Sequence, residues 1–574
     1  MVSNLLERSA TGIRTCVFPA ETLLTSRTGI LHRMITTPWS KRRFIRPRHW
    51  TAGLALLLTA FGALAGSPAW DVRYQRVFTN PEAVIPPQCY TRTEGRFNPC
   101  YTCHQTHPPA SGRPNLMDDA HLQGVYAFSE VGIENHWSNL FVDRRAAIAA
   151  IPDAEIHAYV AIDNYTPLIE TLRSSDFRGW IPDLDDLAYP ERAFDREGRA
   201  RDGSGWIAFQ YKPLPSTFWP TNGSIDDVMI RLPPAFRQDA AGRPSWPVYL
   251  ANLSMLEAAI KGMDAIDTPP IDEQALGVDL DGDGRLGRAT RLITPDHYLG
   301  AARTIPVVRF LYPVGTEFLH TVRYLHVDGQ GRIGPAPRMK EVRYLRKDRW
   351  VDPATLGALY DEEAWEKQQG FLPQIGWQGE RGAVNGFGWR LLGFIEDATG
   401  NLRPQSHEET FFCKGCHSSI GATIDQTFAF PRKIPGVRGQ GYVDLRGMPD
   451  APSLGELEGA IRQYLRRVGG GDEFRANTEM RARWFGPDGQ LDPARLNQAK
   501  DVYTLIVPSP ERALALNKAY LTIVREQSFL KGRDATLVPA ENVYREVDTE
   551  VPPLAPEHRV AGNLLLDWDA AIRP

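Results

Sequence analysis

Two pentapeptides constrain this chain more than any other feature: Cys100-Tyr101-Thr102-Cys103-His104 and Cys413-Lys414-Gly415-Cys416-His417. Both read Cys-x-x-Cys-His, the attachment signal for c-type haem. The spacing has a chemical reason. Two thiols three positions apart reach the two vinyl groups of one porphyrin as thioethers, and the next residue sets an imidazole under the iron. Zinc knuckles pair their CxxC units about 15–20 residues apart, far closer than these two stand. A redox CxxC of the thioredoxin kind is expected once, beside a βαβ pattern. The expectation is therefore two covalently bound haem c groups, with His104 and His417 as iron ligands.

The N-terminus suits that chemistry. Lys41, Arg42, Arg43, Arg46 and Arg48 form a basic region. Thr51 to Gly62 is a short apolar run, and Ala63-Leu64-Ala65 reads as an A-x-A cleavage site. The run is short of the roughly 20 apolar residues of a membrane span. No cysteine follows the cleavage site, so no lipid anchor is expected there. Met34 is an alternative start. These features predict a periplasmic or secreted protein with no membrane span after signal removal.

Charge narrows the partners. Residues 1–65 hold nine of the 65 Lys and Arg and two of the 69 Asp and Glu, which leaves the remainder at net −11. Phosphate binding wants a basic patch, so nucleic acid is an unlikely partner class. A redox partner protein or a small-molecule electron donor or acceptor is expected instead, and a basic one would be steered by the charge. The apolar content of 42% suits globular domains with ordinary cores.

Along the chain, composition divides the residues into a leader (1–65), an N-terminal haem-binding segment (66–175), a β-rich middle region (176–380), residues 381–471, and a C-terminal extension (472–574). Val322-Arg323-Tyr324-Leu325 and Val342-Arg343-Tyr344-Leu345 nearly repeat each other and read as neighbouring strands. In 381–471 the order is CKGCH, a loop with Pro431 and Pro435, Gly447-Met448-Pro449, then a helical pattern. Ser453 and Glu456 are spaced as a capping box, and Leu454, Leu457, Ile461, Tyr464, Leu465 and Val468 make an apolar stripe ended by Gly469. Ser509 and Pro510 mark a further helix start. The 381–471 segment resembles a class I cytochrome c domain. That resemblance implies a mainly α-helical haem domain, and the fold class expected overall is α+β and multi-domain: this helical domain, the β-rich middle and the N-terminal haem segment. It also implies Met448 as an iron ligand; His407, ten residues before His417, is the competing candidate.

For the first haem the candidates are His107, Met117, His121, His136 and His157; His107 is too near His104 to cross to the other face of the same porphyrin, while Met117 and His121 lie on a loop long enough to fold over the ring. His320 and His326 lie an even number apart and share one face of a predicted strand, a further source of a distal ligand. Cys89 is left over once the motifs and Cys16 of the leader are set aside; it reads as a small core side chain, with a disulfide or an unusual ligand as alternatives. Asp279-Leu280-Asp281-Gly282-Asp283-Gly284-Arg285-Leu286 opens like a calcium loop, with oxygen ligands from Asp279, Asp281, Asp283 and the Arg285 carbonyl around Gly284. Thr290 stands where that loop carries a bidentate Glu. One calcium ion is the expected occupant.

The function expected from these residues is electron transfer by an exported di-haem protein. The alternatives are a di-haem oxidoreductase with one catalytic haem, peroxidase-like or otherwise, and a haem-based binding or sensor protein. The 313 positions between His104 and His417 set the chain apart from the bacterial di-haem peroxidases, whose motifs lie closer together. No Walker loop or HExxH signature appears.

Overall fold

β-Branched and aromatic residues concentrate between residues 207 and 404, and there the chain forms strands. The computed structural model describes residues 78–107, 113, 118–215, 218–548 and 550–572. Its strands are β1 (Ile207–Ala208), β2 (Ile225–Arg231), β3 (Ala265–Asp272), β4 (Arg288–Ile293), β5 (Glu317–Val327), β6 (Ile333–Lys347), β7 (Gly376–Trp377), β8 (Ala383–Val384), β9 (Trp389–Glu396) and β10 (Leu402–Pro404). Among the described residues, eight of these build one antiparallel sheet in the order β1-β2-β5-β6-β9-β8-β7, with β10 on β9; β3 and β4 pair separately. The near-repeats lie on neighbouring strands, with Thr321 opposite Val342 and Val322 opposite Glu341.

Both faces of this sheet are covered. Leu319, Val342, Tyr344, Leu392 and Phe394 point to one side and pack with Tyr165, Leu168, Ile169 and Leu172 of the helix Tyr165–Arg173. Ile230, Phe318, Leu345 and Leu391 point to the other, into a core shared with Leu256 and Ile260 of α1 (Trp246–Lys261). This second face leads to the functional site.

The expected mainly helical haem domain at 381–471 is not present. Residues 383–404 are strands β8, β9 and β10 of the large sheet, so a sheet supplies the framework around the second motif. The segments drawn from composition interleave. Thr91 bridges Val543, the Asn98 amide donates to the Arg467 carbonyl, and the Thr79 and Asn80 amides donate to the Glu408 carboxylate. Ser67–Pro574 accordingly forms one compact unit.

The capping box at Ser453 also fails. The helix there starts later, as Ala460–Val468, and Leu457 is fully exposed at 102%. Asp450 supplies the missing acceptor: its carboxylate takes the Ile461 amide at 3.0 Å and the Arg462 amide at 3.2 Å. A carboxylate at a helix start satisfies orphan donors and complements the dipole. Gly469 ends the helix at φ +69°, and Ser509 caps the long helix Pro510–Glu526 through the Arg512 amide.

Candidate functional site

The two pentapeptides fold alike. In each, a short 3-10 turn brings the last residue back over the first: the His104 amide donates to the Cys100 carbonyl at 2.9 Å, and the His417 amide to the Cys413 carbonyl at 3.0 Å. One such turn presents both thiols and the imidazole to one side. The turns also meet. The Ala422 amide donates to the Cys103 carbonyl at 2.9 Å, joining the first motif to the loop after the second. Gly415 is required by contact: a Cβ there would lie 2.5 Å from the Val84 carbonyl oxygen.

Each imidazole is tied at Nδ1. His104 Nδ1 meets Asp119 Oδ2 at 3.0 Å, and Asp119 Oδ1 takes the Gln105 amide at 3.0 Å. His417 Nδ1 meets the Gln426 carbonyl at 2.8 Å. A ring held this way has its tautomer and orientation fixed, with Nε2 left as the ligand atom. The two electrostatic settings differ. Burial opposes charge on His104, but the Asp119 carboxylate and the Cys89 thiol beside it outweigh burial and raise its pKa to about 10. Burial lowers His417 to about 4, against the pull of the Gln426 carbonyl. Gln426 and Asp425 both sit at positive φ, +60° and +46°, an uncommon conformation for such residues. The buried Lys347–Asp425 ion pair at 2.6 Å, with Asp425 also accepting from the Tyr312 amide, holds that loop in place.

Both motifs open into one cavity of about 910 Å³. Cys100, Cys103, His104, Cys413, Cys416 and His417 all line it. Its floor is the second face of the sheet, where alternate residues of adjacent strands contribute Asp226 and Val228, His320 and Val322, Glu341 and Arg343, and Leu391. Four polar residues in the middle of an otherwise apolar face are costly unless they serve the cavity. Glu341 is satisfied by Arg343 at 2.9 Å, Arg533 at 3.0 Å and Gln405 at 3.0 Å, and Asp226 by the Tyr211 hydroxyl.

This arrangement fits porphyrins better than a small metal ion. Among the described residues, none of the cysteines belongs to a cluster of three ligand atoms close enough to share an ion. They line instead a mainly apolar space at the upper end of the ligand-pocket range. Arg343 and Arg533, held by Glu341 on its wall, are suited to carboxylates such as haem propionates.

The other sequence candidates scatter. Met448 does not line the cavity; it packs in a core with Ile461, Tyr464 and Leu465, which corrects its assignment as an iron ligand. His407 lies outside the cavity, stacked on Trp377. His107 is taken by the Gly421 carbonyl and Arg113. His136, His157 and His326 do not line the cavity, and Met117 lies outside the described residues. His121 reaches the rim, and Cys89 and His320 line the wall. A lone histidine on a strand gave no sequence signal that would have ranked His320 first; its place opposite Arg343 depends on strand register.

The acidic loop is rearranged relative to its sequence reading. Asp279 and Asp281 gather with the buried Glu273, and Asp283 is not part of that group. Asp279 accepts the Gly282 and Gly284 amides, and Glu273 the Leu280 and Gly287 amides. The chain then enters β4, so Thr290 lies in a strand.

Residues 74–493 match a family whose description reads "-like lipoprotein". The chain belongs to that family. An uncharacterised lipoprotein of Aquifex aeolicus (strain VF5) is 32% identical to it over 519 residues, 79% of this chain and 86% of that protein. No solved structure matches. The family is one of lipoproteins and not of class I cytochromes c, so the resemblance drawn for 381–471 fails as an identification. Neither match supports the descriptions cytochrome, haem or electron transfer. Lipoproteins are exported proteins, and export was the coarser part of the sequence expectation. The signal segment and its expected lack of a lipid anchor lie outside the described residues. Among the described residues, no helix is long and apolar enough to cross a membrane.

Proposed function

We propose that this chain is an extracytoplasmic, periplasm-facing di-haem protein that passes electrons, with both haems covalently held in the cavity that the two motifs share. The observation that carries the reading is the meeting of two Cys-x-x-Cys-His turns, 313 positions apart, on one cavity, each imidazole tied at Nδ1. Haem iron supplies one-electron chemistry when bound. The protein's part is positioning and shielding. Asp119 and the Gln426 carbonyl orient the imidazoles, Arg343 and Arg533 offer cations to propionates, and the apolar sheet face excludes water. Two cofactors in one cavity would lie close together, an arrangement suited to passing electrons between them. A redox protein or a small donor or acceptor would meet them at the cavity mouth.

Intact mass of the purified mature protein tests this. Two haem additions are expected, and Cys413→Ala with Cys416→Ala should remove one. A folded protein of unmodified mass, or one carrying zinc, would sink the reading.

A further inference from the structure

Among the described polar residues of the cavity floor, His320 alone carries a buried side-chain atom without a hydrogen-bond partner. Its Nε2 is buried and has no hydrogen-bond partner among the described residues. The nearest carboxylate oxygen, Asp226 Oδ2, stands 3.8 Å away, beyond hydrogen-bond distance. A buried imidazole nitrogen without a partner costs free energy unless a ligand or an ordered water meets it.

The register fixes what surrounds it. His320 on β5 lies between Val228 on β2 and Arg343 on β6, and Arg343 lies opposite Gly393 on β9. The ring packs edge-on against Phe218 at 5.2 Å; Phe218 stacks on Phe428 at 6.3 Å, and Phe428 on His417 at 6.0 Å. His320 and His417 therefore border the same stretch of the cavity, beside one pair of aromatic rings. Burial, Arg343 and then His417 all push the pKa of His320 well below the ordinary histidine value. The charged groups facing it also include Asp226 and Glu341.

The rival ligands are spent or elsewhere. Met448 and His407 do not line the cavity. His121 does, but it follows Asp119, the partner of His104, and so belongs to the first motif's side. We infer that His320 would supply a second imidazole to the iron of a haem attached at Cys413 and Cys416 and ligated by His417, so that two imidazoles, one from a haem turn and one from the sheet, would close that iron to other ligands. The inference rests on the di-haem reading and goes beyond it by assigning the coordination of one particular haem.

The test uses the haem-loaded full chain and reads spin state by absorption and electron paramagnetic resonance. In His320→Ala, one of the two haems should turn from low-spin to high-spin, and added imidazole should return it to low-spin. In the Cys413→Ala, Cys416→Ala background, the same substitution should leave the remaining haem unchanged. His320→Met should keep that iron six-coordinate and raise the midpoint potential of one haem only, since a thioether favours the reduced state. If both variants keep the wild-type spectra and potentials, His320 is a wall residue and the inference fails alone. If His320→Ala alters the haem of the first motif instead, it also fails alone. If the wild-type chain carries no haem, the inference falls together with the proposed function.

Discussion

Glu473 illustrates the energetic cost of lining this cavity. It is 3% exposed, accepts from Gln88 Nε2 at 3.1 Å on one oxygen, and has no partner on the other among the described residues. Burial, then the neighbouring Asp472 and Asp534 carboxylates, raise its pKa from 4.5 to about 8. The folded chain therefore binds this proton more tightly than the unfolded chain does. Below pH 4.5 both states hold it and stability is unaffected. Between 4.5 and 8 only the folded state holds it, so stability falls as pH rises, and above 8 the loss is complete. Glu473→Gln should remove this loss. Its melting temperature should match the parent near pH ~4.5 and exceed it near pH ~9, by at most about 5 kcal/mol of stability. Equal melting temperatures at both pH values would show that water already reaches this carboxyl. At this scale the sequence was partly legible. The four thiols and two imidazoles announce themselves by fixed covalent spacing. Glu473, Asp226 and His320 do not, because a single polar residue acquires its role only from what folding packs around it.

Among the elements, those governed by local chemistry were the readable ones. Ser509 and Pro510 start a helix and Gly469 ends one because a cap acts within a few residues. The 453–456 pattern misled because Asp450, a side chain from outside the box, took the orphan amides of a later start. Strands β8 and β10 were hidden by their shortness, and β9 by the haem-like order of motifs around it. The acidic loop is the element whose occupant is most open to experiment. Calcium is the proposed ion for Glu273, Asp279 and Asp281, whose ligand oxygens lie within 4.8 Å of one another. Like charges so close are eased by a cation. Chelation should lower the melting temperature and Asp281→Ala should remove the response to added calcium, with mutant and chelated parent alike. Identical melting of the parent with calcium and with chelator would reduce the loop to a turn held by its own amides.

The whole molecule joins what the sequence separates. Nothing local in residues 100–104 or 413–417 says that they share a cavity; that follows from the sheet, which supplies a floor to both. The same assembly shapes the cavity mouth. The helix Pro353–Gln368 lies at the rim, where Glu363 binds Lys414 of the second motif at 3.1 Å and Ser419 at 2.7 Å. It carries Asp361 and Glu362 exposed, with Glu366 and Lys367 lining the cavity, next to Trp365 at 53% and Phe371 at 55% exposure, whose ring centroids lie 5.7 Å apart. Exposed aromatics within an acidic rim have the composition of a transient protein interface, and the rim sits beside the proposed haems. A basic redox protein is the partner this charge fits. Electron exchange with such a protein, horse-heart cytochrome c for example, should slow as ionic strength rises, because steering is screened. Asp361→Asn with Glu362→Gln should lower the second-order rate several-fold at low salt and flatten its salt dependence, while the haem content and spectra stay those of the parent. Because neither side chain contacts the motifs, a change in the spectra would point to a disturbed cavity. Rates indifferent to both salt and substitution would move the electron entry point away from this helix and leave small molecules as the exchange partners.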